Sequence, residues 1–123
     1  MNKAAYKAKC ETFCATNNYA TAKLAYERFN AIWDDACKSL ERFVKAQGPN
    51  ARHPNGLTAD YVKAMPEYNR LRAIEYQAGE ECKTFNGVFT RVFKKEYVAS
   101  IRAVREDKLK NNSARWAALC ATV

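Results

Sequence analysis

Residues 19–46 read YATAKLAYERFNAIWDDACKSLERFVKA, and this stretch decides the fold. Ala22, Ala25, Tyr26, Phe29, Ile32, Trp33, Ala36, Leu40, Phe43 and Val44 recur at steps that line up one face of a helix turning about 100° per residue. Lys23, Glu27, Asp34, Lys38, Glu41, Arg42 and Lys45 fall on the opposite side. Asp34–Lys38 and Glu41–Lys45 have the acid-first i,i+4 order that supports a helix by about 0.2–0.5 kcal/mol per pair. Asn17 and Asn18 supply an N-cap, and Gly48-Pro49 ends the helix.

Upstream, Asn2 to Ala15 is rich in Ala and Lys and predicts a shorter helix, with Ala5, Tyr6, Lys9, Cys10, Phe13 and Cys14 on one side. Downstream, residues 48–56 hold two of the four glycines and two of the three prolines, which marks the turning point of a helical hairpin. Thr58 is expected to cap a short turn, with Asp60 well placed for the helix dipole. Pro66 disfavours α geometry at Met65 and suits a first helical turn, so a new or kinked helix starts there. Leu71, Ile74, Ala78, Cys82, Phe85, Phe89, Val92 and Phe93 form one stripe that passes through Gly79 and Gly87 in phase. A strand over residues 87–93 after an Asn-Gly turn is the alternative, and phase continuity favours the helix.

Beyond Tyr97 the pattern blurs. A straight helix would place Glu96 and Asp107 on the apolar side and Val98, Ile101 and Leu109 off it, which predicts a bend near residues 94–97. Asn111-Asn112-Ser113 is expected to end that segment and cap a last short helix holding Trp116, Leu119 and Cys120. The fold expected is therefore all-α, an irregular bundle of about four to five helices around a long antiparallel hairpin, with residues 1–123 as one domain. Phe29, Ile32, Trp33, Ala36, Leu40 and Phe43 should face Leu71, Ile74, Ala78, Cys82, Phe85 and Phe89, the terminal helices closing the core. Ile32→Ala should then cost about 2–5 kcal/mol.

Composition agrees with this architecture. Apolar residues make up 48% of the 123 positions, enough to build a core, and four Gly with three Pro are few for a turn-rich β fold. The formal charge of +8 excludes a mimic of DNA and biases the chain toward acidic partners. The first nine residues lack the apolar stretch of a secretory signal, and no window approaches the length of a membrane span, so a soluble, cytoplasmic protein with no membrane partner is expected.

Chemistry at a catalytic or metal site finds little support. The five cysteines are scattered apart from Cys10 and Cys14, the single histidine, His53, lies between prolines, and no Glu-x-x-His pair occurs. Reduced thiols, no metal, no cofactor and no enzymatic activity are the expectations. The main functional signal is basic. Residues 83–115 carry nine basic groups against three acids, Glu96, Glu106 and Asp107. Helical phase gathers Arg91, Lys94, Lys95, Arg102 and Arg105, with Lys108 beyond them, away from Phe85, Phe89 and Val92. Such a face suits nucleic acid, whose phosphates accept bidentate Arg contacts. The alternative is an acidic surface on another protein, the mode of many small accessory or inhibitor proteins of viruses and mobile elements.

Overall fold

The computed structural model describes residues 2–122 and contains five helices and no strand among them: α1 (Lys3–Thr16), α2 (Tyr19–Ala46), α3 (Asp60–Lys63), α4 (Pro66–Val92) and α5 (Lys94–Thr122). The all-α bundle around a long antiparallel pair is the architecture observed. Local chemistry sets the helix ends. The Asn2 side chain accepts from the N–H groups of Ala4 and Ala5, and the Asn18 side chain accepts from that of Thr21. Those bonds satisfy donors that a helix start otherwise leaves unpaired. Met65 is extended (φ −72°, ψ 132°) and Pro66 opens α4. Gly48 has φ +110°, a left-handed exit from α2 that suits a residue without Cβ.

The loop between α2 and α4 folds back on itself through Arg52 and Thr58, with Ala59 donating its N–H to Ala51 O at 2.8 Å. Thr58 does not cap the next helix. Ala59 occupies the N-cap of α3 without a side-chain bond, because Thr58 is taken up in this bridge. Ala51, Ala59 and Val62 bury themselves against Val44, with Phe43 and Tyr68 alongside, and so close the loop end of the hairpin.

The opposite end is aromatic. Cys10, Cys14, Ala22, Phe85, Val88, Phe89 and Phe93 are buried there, ringed by Tyr6, Phe13, Tyr19, Tyr26, Phe29 and Tyr97. Between the two ends the α2–α4 seam is narrow and partly polar. Trp33 Nε1 donates to Glu75 Oε1 at 3.4 Å, and Cys82 Sγ lies 3.2 Å from Asn30 Oδ1. Gly79 lies against the Trp33 indole. A Cβ at Gly79 would stand 2.9 Å from Trp33 Nε1, so this glycine is what lets the ring close the seam.

This narrowness corrects the expected core. Ile32 and Ile74 are both 47% exposed and Val92 is 45% exposed, so none of them is a core residue. Helix α1 has 14 residues against 28 in α2, about 21 Å against about 42 Å, and covers only the aromatic half of the hairpin. Between that half and the loop end, the flanks carrying Ile32 and Ile74 stay open. Val88, outside the expected stripe, is 1% exposed, since α4 is covered by α1 as well as by α2 at the aromatic end.

The C-terminal region departs further. The break falls at Phe93 (φ −107°, ψ 38°), and α5 then runs unbroken through Asn111, Asn112 and Ser113. These residues lose only about half a kcal/mol each in helix propensity relative to Ala, too little to stop a helix. Nor does this helix close the core: every residue from Arg102 to Ala121 is exposed.

Phe89→Ala is expected to cost about 3–5 kcal/mol, as for other buried aromatics. Ile32→Ala should cost about 1 kcal/mol or less, in line with a half-exposed site. Ending the chain after Ala103 should leave stability within about 0.5 kcal/mol. Urea denaturation of the three variants beside the parent checks all three values.

Candidate binding surface

Helix α5 starts from the aromatic end of the bundle. Phe93 is buried, its N–H still donates to Phe89 O at 2.9 Å, and its carbonyl accepts from the Tyr97 N–H at 2.9 Å. One non-helical residue therefore joins α4 to α5. The Tyr97 ring seats the first turn, with its centroid 6.2 Å from that of Phe89 and 6.3 Å from that of Tyr26. Ser100 and Ile101 are half-buried, and contact with the body ends there.

The expected binding residues divide at this joint. Arg91 belongs to the last turn of α4, and its guanidinium lies 3.7 Å from the Glu11 carboxylate of α1. Lys94, Lys95, Arg102, Arg105 and Lys108 all lie on α5 and are exposed. Lys94, Lys95 and Arg102 border a shallow groove with Val98, Ala99, Ala103 and Glu106. Taken at about 100° per residue, Lys94, Lys95, Arg102, Arg105 and Lys108 share one side of α5.

Ion pairing among the described residues is confined to the body, where seven of its fourteen Lys and Arg side chains take part. In the body, Lys3, Lys38, Lys45, Arg52, Arg70, Arg72 and Arg91 each pair with a carboxylate. Among the described residues none of the seven cations of α5 does so, although α5 has three carboxylates of its own. Its charge is thus left to solvent and to whatever approaches.

The same side also carries large apolar groups. Val98 is 37% exposed, Leu109 66% and Trp116 68%. Their phase with Arg105 is present in the sequence, but it becomes legible only if α5 is one helix, and Asn111-Asn112-Ser113 argues locally for two.

Elsewhere, a cleft of about 270 Å³ joins Cys37, Glu41, Arg52, Tyr68, Arg72 and Glu75 between α2, α4 and their loop. Its charges are internally satisfied: Arg52 pairs with Glu41, Arg72 pairs with Glu75, and Cys37 Sγ lies 3.8 Å from Glu75 Oε1. The cleft is a clamp between elements. His53 is exposed in the loop and does not line it. Among the described residues no cluster of three or more His, Cys, Asp or Glu is placed to hold a metal ion, and no helix is long and apolar enough to cross a membrane.

All five cysteines are free. Cys10, Cys14 and Cys82 are buried, whereas Cys37 is exposed although it falls near the apolar stripe of α2, and Cys120 is exposed. Burial pushes the thiols of Cys10, Cys14 and Cys82 above their usual value of 9.0, and it raises the phenols of Tyr6 and Tyr26 as well. No family model, curated protein or solved structure matches this chain.

These buried groups stay protonated in the folded chain at pH values where the unfolded chain ionises them. Their contribution is complete below the usual thiol range and is lost progressively as pH rises from each group's ordinary value toward its raised value in the folded chain. The urea midpoint should therefore be lower at about pH 10 than at about pH 7. In native buffer an alkylating reagent should label Cys37 and Cys120, and mass spectrometry should find Cys10, Cys14 and Cys82 modified only after denaturation.

Proposed function

We propose that this chain is a small non-enzymatic binding protein that acts by presenting α5 to an acidic macromolecule. The observation that carries this reading is the set of seven cations, unpaired among the described residues, on a helix with no fully buried residue from Lys94 to Ala121. A helix that lends the core only the rim contact of Tyr97 in its first turn and leaves its cations unpaired is consistent with use as a contact surface.

Charge alone serves two partner classes. Nucleic acid fits Arg102, Arg105 and Lys108 as phosphate contacts, and Lys94 and Lys95 near the body would extend the same track. An acidic surface on another protein uses the same groups through carboxylates, with Arg able to make bidentate bonds. One observation favours the second: Val98, Leu109 and Trp116 stand on the basic side, and phosphates offer them nothing. The first class remains the direct competitor in any assay.

The double variant Arg102→Glu/Arg105→Glu should keep parental helicity, because both positions are solvated and tolerate change within about 0.5 kcal/mol each. In a pull-down from lysate with and without nuclease, parent protein should retain its partner after nuclease treatment and the double variant should lose it. If nucleic acid is the partner, nuclease abolishes retention, and each lost phosphate contact lowers the slope of log affinity against log salt by about one unit. Unchanged retention by a correctly folded double variant would sink both partner readings.

A further inference from the structure

We infer that α5 is a helical ligand for a protein groove with an apolar floor and carboxylate rims. This rests on the reading of α5 as the binding element and narrows the chemistry of its partner. With a turn of about 100° per residue, Val98, Arg105, Leu109 and Trp116 fall within about 40° of a single line along α5. Lys94, Arg102 and Lys108 flank that line on both sides. An apolar ridge edged with cations is what helix-in-groove recognition requires: the ridge fills the floor and the charges select the rims.

The three apolar groups occupy separate points on the ridge. Leu109 lies about 16 Å along the axis from Val98, and Trp116 about 10 Å farther on. Arg105 lies between Val98 and Leu109 on the same line. A groove that takes this helix must therefore offer a carboxylate between two apolar pockets, since an unpaired guanidinium held away from water costs more than the neighbouring contacts return. That carboxylate sets the register of the complex.

The other occupants fit less well. A nucleic acid would use Trp116 as a stacking surface but would leave Val98 and Leu109 against phosphate or water, whereas strand-binding sites use several rings in succession. At a lipid surface Arg105 would sit in the centre of the buried line, while Val104, 52% exposed, points away from it. A second copy of α5 brings a helix of the same sign, seven cations against three carboxylates, so pairing two of them sets like charges together.

The test uses the full chain and four probes: calcium-loaded calmodulin, whose exposed Met-rich grooves take amphipathic target helices, together with polyglutamate, oligothymidylate and a DNA duplex. Titration calorimetry at one salt concentration compares the parent with Leu109→Gln/Trp116→Gln and with Arg102→Glu/Arg105→Glu. Gln keeps helix propensity and charge, and circular dichroism checks that both variants fold. Calmodulin is expected to bind the parent at least about tenfold more tightly than the other three probes, and the Gln pair should weaken it by about tenfold or more, a difference of about 1.4 kcal/mol. The Glu pair should weaken every probe. Equal affinity of the Gln pair and the parent for calmodulin, or tighter binding of either nucleic acid, overturns the groove and leaves the basic-arm reading standing. Indifference of all four probes to the Glu pair overturns the basic arm itself.

Discussion

Phe89 is the contact on which the rest of this structure depends. Its ring meets Tyr26 at 4.8 Å, Phe93 at 5.6 Å, Tyr19 at 5.7 Å, Phe85 at 6.1 Å and Tyr97 at 6.2 Å, so one side chain of α4 is shared by α2 and by the first turn of α5. Phe85 extends the cluster to α1 through Phe13. Aromatic contacts of this kind add about 0.5–1.5 kcal/mol each beyond the area they bury. Four of the five helices are joined at this one end of the hairpin.

The unequal lengths of the helices follow from there. Once α1 has covered the aromatic end, nothing in the described chain is placed to cover the flanks of the hairpin's other half. That half is held by different means. Trp33 seals the seam over Gly79, Glu75 accepts from the indole, and Arg52 ties the loop to Glu41. Lys83 lies 5.4 Å from the centre of the Trp33 ring and covers its outer face. Polar pairs at a half-exposed seam add less to stability than buried rings but constrain geometry more, because each fixes a direction as well as a distance.

The same economy of coverage leaves α5 with only its first turns attached. Beyond Ile101 its stability has to come from its own hydrogen bonds and capping, which for an isolated helix in water is marginal. Pairing its cations with the chain's carboxylates would have neutralised the helix. The carboxylates of the body are instead largely engaged with cations of the body, at Glu11, Asp34, Glu41, Glu67, Glu75 and Glu80. Charge distribution and packing thus lead to the same helix by independent routes.

Helix type, the bounds of α2, the cap at Asn18 and the start of α4 at Pro66 were legible in the sequence, because each is decided by neighbours within one or two turns. The basic character of residues 83–115 was legible for the same reason: it is a property of composition. Which apolar residues are buried was not. Ile32 and Trp33 are both apolar positions of α2, and only the placement of α1 and α4 around that helix covers one and exposes the other. Nor could the sequence show that Val98, Leu109 and Trp116 share a face with Arg105 in the open. That depends on a single bend at Phe93, whose ring is held in the core, and on the open position of α5, which no element among the described residues returns to cover. Periodicity reports which side of a helix is apolar, and only tertiary structure decides whether another element comes to meet it.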